Sequence, residues 1–135
     1  MKYLILFVLC IGMYACSSND EVDSAKKPVA EQLVEIKDGI YTEWYPGKKQ
    51  IKYRGAQDDL NRRDGKWMFY SETGLELSFT MYKNGLKEGF TVVKYPNGVL
   101  RYRGEYQNDK MVGVWTTYDE KGKVATEKDY SYPTN

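Results

Sequence analysis

Histidine is absent from the 135 residues. Its absence removes the commonest metal ligand and the one side chain that ordinarily titrates near neutrality. It also leaves every Ser and Thr without the usual base that activates a hydroxyl nucleophile. Cysteine is nearly as scarce, with Cys10 and Cys16 the two in the chain. Nothing beyond residue 16 can therefore be braced by an internal disulfide. An excess of one charge is missing too: 20 Lys and Arg stand against 19 Asp and Glu, a net charge of +1. A near-neutral chain lacks the basic surface that nucleic acid requires. The acidic pairs Asp58/Asp59 and Asp119/Glu120 fall in turn-like segments. Such solvated carboxylates lack the opposed environments that separate acid from base. No spaced oxygen-ligand loop with a closing Glu is present either. These absences predict a protein that is not an enzyme and that carries no metal or cofactor.

Long apolar runs are also lacking, with one exception. After Lys2, residues Tyr3 to Ala15 form an almost unbroken apolar stretch of 13 residues. As a helix it would be about 20 Å long, short for a permanent membrane span and suited to a secretory signal helix. Residues 1–15 hold one cation, Lys2, and no acid, so their removal takes the net charge to zero. The polar stretch that follows, residues 16–30, carries Asp20, Glu21, Asp23 and Pro28 without an aromatic residue. It is expected to be a disordered tether.

What is abundant is tyrosine and glycine, 13 and 12 residues respectively. Gly65, Gly89 and Gly113 recur every 24 residues, as do Gly74, Gly98 and Gly122, and Tyr82, Tyr106 and Tyr130. Gly39 and Gly47 extend the two glycine series backwards at intervals of 26 and 27. Fixed-period self-similarity marks a repeat architecture. Four units follow, near 38–64, 65–88, 89–112 and 113–132. Asp38-Gly39, Asn84-Gly85 and Asn97-Gly98 are hairpin-turn dipeptides. Between turns lie strand-like runs, among them Lys66–Tyr70, Phe90–Val93 and Val114–Tyr118. Leu75, Leu77, Phe79 and Met81 alternate with polar neighbours at a period of two. In the next unit Leu100, Tyr102 and Tyr106 take the opposite parity, which predicts a flip absorbed at a bulge or kink, with Gly104 the candidate. Residues 31–37 are expected to pair across Asp38-Gly39 as an N-terminal cap.

Two resemblances follow from these residues. Met13-Tyr14-Ala15-Cys16 resembles a lipobox, which implies cleavage after Ala15 and acylation of Cys16. Ser17 and Ser18, rather than Asp, follow the cysteine; in such lipoproteins this implies the outer membrane rather than the inner. The acidic cluster after them loosely resembles a surface-export tag. Tyr102-Arg103-Gly104-Glu105-Tyr106, with its polar turn and Gly113-Val114-Trp115, resembles the MORN repeat, more closely its bacterial variants. Phe79–Phe90 repeats the pattern, and Tyr53-Arg54-Gly55 opens a degenerate copy lengthened through Asp58–Arg63. The resemblance spans about residues 38–130. It implies an all-β domain over residues 31–135, an elongated antiparallel sheet of stacked hairpins. The bacterial variants include the YwqK antitoxin-type family.

Trp44, Trp67, Trp115 and Tyr118 recur on the aromatic strands and are the candidate binding residues, with the shared core as their alternative use. The basic cluster of Lys48, Lys49, Lys52, Arg54, Arg62, Arg63 and Lys66 reads as a solvated rim or a site for anionic headgroups. Together these features predict a lipid-anchored envelope protein, held to a membrane through Cys16, whose repeats bind a protein partner. The alternatives are an antitoxin or immunity-type protein, and a glycan- or lipid-binding module. A lipid anchor would place any toxin target outside the inner membrane.

Overall fold

The computed structural model describes residues 32–132. The leader, Cys16 and all of the expected tether, residues 16–30, lie outside the described residues. Nine strands run in chain order: β1 (Val34–Lys37), β2 (Ile40–Trp44), β3 (Ile51–Gln57), β4 (Arg63–Tyr70), β5 (Glu76–Lys83), β6 (Leu86–Lys94), β7 (Leu100–Gln107), β8 (Lys110–Tyr118) and β9 (Val124–Tyr130). They form one antiparallel sheet in which each strand pairs with its neighbours in sequence. Among the described residues there is no helix and no second layer. β1 pairs with β2 across Asp38-Gly39, from Val34↔Glu43 to Lys37↔Ile40, as the expected N-terminal cap.

Two turn chemistries alternate at the two ends of the sheet. At one end Asp38-Gly39, Asn84-Gly85 and Asn108-Asp109 each place both residues at positive φ, between 47° and 88°. That is the two-residue hairpin turn whose twist matches the strands, and Asn, Asp and Gly are the residues that tolerate it. At the other end the reversal is longer. The N–H groups of Gly74, Gly98 and Gly122 donate to the carbonyls of Ser71, Tyr95 and Asp119, at 2.8–3.0 Å. Each of these glycines then re-enters the sheet at a φ of 82–88°. Asn97-Gly98 is therefore the second half of a four-residue turn, with positive φ at the glycine and not at the asparagine. The lengthened turn after β3 is held by Asp58, whose carboxylate accepts from the N–H groups of Leu60 and Arg62 and from the Arg62 guanidinium.

The expected parity flip does not occur. Ser78 pairs with Val93, which pairs with Tyr102, and Thr80, Thr91 and Gly104 stand in one row. The 24-residue register is thus kept, and the two strands differ in chemistry rather than in direction: β5 places its apolar residues on one face, β7 its rings on the other. The irregularity foreseen at Gly104 is real, between Arg103 and Glu105, but it recurs in each unit. β3–β4 shifts between Arg54 and Ala56, and β5–β6 between Thr80 and Tyr82. At these points Gly65, Gly89 and Gly113 sit inside β4, β6 and β8 at φ of 68°, 98° and 60°. The period-24 glycine is therefore a bulge residue.

Candidate interaction surface

The sheet has two faces with different occupants. On the first, here the ring face, two tryptophans lie flat on glycines of the preceding strand. A Cβ at Gly55 would stand 2.4 Å from the Trp67 ring, and one at Gly104 would stand 2.1 Å from the Trp115 ring. The Trp67 Nε1–H donates to the carbonyl of Ala56 at 2.7 Å, and that of Trp115 to Glu105 at 3.1 Å. Tyrosines close in from both sides: Tyr41 and Tyr82 on Trp67, Tyr102 and Tyr106 on Trp115, with centroids 5.0–6.4 Å apart. Cations cover rings of both clusters, with Arg63 4.4 Å from the Trp67 centroid and Lys87 4.8 Å from that of Tyr106. Between the two clusters the equivalent positions hold Thr80 and Thr91, whose hydroxyls meet at 2.8 Å. One small–large pair is replaced there by two medium side chains.

Trp67 and Trp115 are only 5% and 7% exposed. Their burial and hydrogen bonds commit both rings to the sheet's own packing. Trp44 and Tyr118 are half-buried and lie out of phase with that pair. Trp44 ends β2, beyond the shift at Glu43, while Tyr118 ends β8. The Tyr118 carbonyl accepts from the Tyr95 hydroxyl at 2.8 Å, as the Tyr70 carbonyl does from Tyr45. The four candidate residues thus do not converge on one site. Hydrogen-bonded hydroxyls that recur two units apart tie one hairpin to the next.

The second face was not singled out by the sequence. It carries a trough of about 650 Å³ whose walls include Phe79, Met81, Phe90, Val92 and Val114. Phe90 is 64% exposed and Val114 52%. Arg103, Glu105 and Glu127 border it. The signal available in the sequence was the alternation in residues 75–81, which assigns Phe79 and Met81 to one face. What hid the site was the assumption that the apolar face is the buried one.

The electrostatics belong to packing and turns. Burial, then the neighbouring Tyr106, raises the Tyr102 phenol above its ordinary value. Burial also raises Tyr41, helped by the Glu43 carboxylate that accepts its hydroxyl at 3.2 Å. The Arg62 N–H and the further donors of the turn hold the Asp58 carboxyl below the usual range. Among the described residues no group of three His, Cys, Asp or Glu stands together to hold a metal ion.

A single antiparallel layer of hairpins, bulged at a fixed glycine and filled by rings on one face, defines a β-hairpin repeat module. Residues 91–108 and 111–132 match the MORN repeat variant. The matched segments begin in β6 and end just past β9, so they cover the Trp115 cluster. The earlier hairpins, β2 to β5, carry the same Gly–Trp pair and the same bulge outside the match. No curated protein matches the chain.

Proposed function

We propose that this chain is a non-enzymatic envelope lipoprotein whose repeats form a protein-interaction scaffold. The observation that supports the scaffold best is the one-layer sheet itself. Its rings consolidate one face, so the other is left to present an apolar trough edged by charges. A rigid surface with an apolar centre and a polar rim has the anatomy of an interface. MORN-type repeats in residues 91–132 are consistent with an interaction module.

The anchor rests on the sequence. The apolar run ends at Ala15, Cys16 follows, and no later cysteine competes for its role. Two or three acyl chains on that residue would bind a bilayer stably, at about 0.8 kcal/mol per buried methylene. Ser17 and Ser18 favour the outer membrane. The test is mass spectrometry of the native protein together with fractionation of a Cys16→Ser variant. A mature mass lacking residues 1–15 and carrying acyl groups is expected, with the variant released from membranes. A Cys16→Ser protein that is processed and anchored like the wild type refutes the anchor. For the scaffold, cross-linking in intact envelopes should give discrete products that depend on the trough. A pattern unchanged by Phe90→Glu would remove the trough from that role.

A further inference from the structure

One row of the trough face leaves three charges unmatched as well as its apolar centre. Arg54, Arg103 and Glu127 make no side-chain hydrogen bond or ion pair among the described residues. All three lie in one row that crosses the sheet through Val92. One strand to either side of Val92 stand Phe79 and Arg103. Two strands away stand Met68 and Thr116, and three strands away Arg54 and Glu127. The row is thus balanced about β6, with opposite unpaired charges at equal distances from its centre.

We propose that a second copy of this chain closes the trough face, packed face to face about a two-fold axis that runs parallel to β6 above Val92. Such an axis exchanges the two halves of the row. Arg54 then faces Glu127 of the second copy, and Glu127 faces its Arg54. Each Arg103 then comes against Phe79 of the second copy, a ring that Lys66 of its own sheet also approaches, 4.5 Å from the centroid. Phe90, the most exposed ring of this face, is two residues from Val92 on the same strand, so it meets its own counterpart at the axis. In an isologous interface every contact of this kind is made twice. The two opposite charges at the ends of the row, Arg54 and Glu127, find partners without a new residue being invoked.

Shape and size agree. Both sheets twist with the same hand, and a two-fold along the strands carries one twisted surface onto the other at constant separation. Sheets therefore stack aligned, about 10 Å apart. From β3 to β9 there are six inter-strand gaps, about 29 Å at roughly 4.8 Å each. Strands of seven residues span about 24 Å. The overlap is of order 700 Å² per copy, close to what a standard interface buries on each side. Other covers fit less well. An anionic bilayer would be repelled by Glu105 and Glu127. An apolar peptide in the trough would leave Arg54 and Glu127 unmatched on opposite flanks. The dimer does not depend on acylation of Cys16, so the two readings can fail separately.

The test is photo-cross-linking of the full chain with p-benzoyl-phenylalanine at position 90. A product of twice the chain mass is expected from position 90, and none from position 53 on the ring face. Arg54→Glu and Glu127→Arg should each lower its yield roughly tenfold, because both copies then juxtapose like charges. The double variant R54E/E127R should restore it. Thermal unfolding of the same variants separates lost association from lost folding. Cross-linking of position 90 to another protein or to lipid would overturn the proposal. So would a dimer product indifferent to the charge reversals, or one that the double variant fails to recover.

Discussion

Replacing Gly104 with alanine tests the interaction that defines the repeat. The added Cβ would stand 2.1 Å from Cδ2 and 2.2 Å from Cε2 of Trp115. Ordinary carbon contacts begin near 3.5 Å, so the indole must rise by more than 1 Å, an estimate from that gap alone. Rising lengthens the Nε1–H···O=C bond to Glu105 from 3.1 Å, a bond contributing about 1 kcal/mol. It also loosens the packing with Tyr102 and Tyr106, at about 0.5–1.5 kcal/mol for each aromatic pair. The expected loss is about 3 kcal/mol, near the upper end of overpacking costs. For a domain of this size that lowers Tm by roughly 10–20 °C.

The decisive measurement is a double-mutant cycle by urea denaturation, followed by far-UV circular dichroism. Trp115→Ala alone should cost about 3–5 kcal/mol through the cavity it leaves. If the glycine exists to accommodate the ring, G104A should cost almost nothing in the W115A background. The coupling would then be about 2–3 kcal/mol. Gly104 does not have the positive φ that would require glycine on backbone grounds. Equal costs of G104A in both backgrounds would refute the steric account.

Three further outcomes follow from the same geometry. Thr91→Trp should destabilise by about 1–3 kcal/mol because Thr80 occupies the space a ring needs, whereas T80G/T91W should recover most of the loss; equal chemical-denaturation midpoints for the two would contradict this. Burial raises the Tyr102 phenol, so its contribution is fully present below the ordinary tyrosine pKa of about 10 and is lost as pH rises through the higher folded value; stability measured from pH 9 to 12 should therefore fall less steeply in Tyr102→Phe. The Asp58 carboxyl is lowered by the Arg62 N–H and the other donors of its turn, so its contribution is present above about pH 3.9 and is lost as pH falls below that; Asp58→Asn should flatten the acid limb of the stability profile, and an unchanged limb would show that the turn does not depend on the charge.

The parts of the fold legible in the sequence were those fixed by local stereochemistry. Asp38-Gly39 and Asn84-Gly85 announce their turns because few residues accept positive φ. The 24-residue spacing of Gly65, Gly89 and Gly113 announced the unit. The role of those glycines was not legible, because a bulge glycine inside a strand and a turn glycine look alike in one dimension. Facing was harder still. Alternation tells which residues share a face and not which face is buried, and a one-layer sheet has no inside to break the tie. That is why Leu100, Tyr102 and Tyr106 read as a flip. It is also why Trp67 and Trp115 could be read as binding residues while Phe90 and Val92 were read only as part of a strand.

The packing rule of the array is broken at β9. In rows 24 residues apart, positions 80, 104 and 128 are Thr, Gly and Lys. Lys128 lies opposite Trp115 in the ladder, and its ammonium lies 4.6 Å from the Tyr130 ring centroid. A further hairpin would need a small residue at 128 to seat its ring; the lysine occupies that seat. Glu127, Lys128 and Asp129 put three consecutive charges on the outer strand, which discourages another strand from pairing there. Growth along the sheet is thus blocked at β9, while nothing comparable guards the trough. An association that must avoid the edge and satisfy Arg54, Arg103 and Glu127 together is left with the face, which is where the proposed two-fold lies.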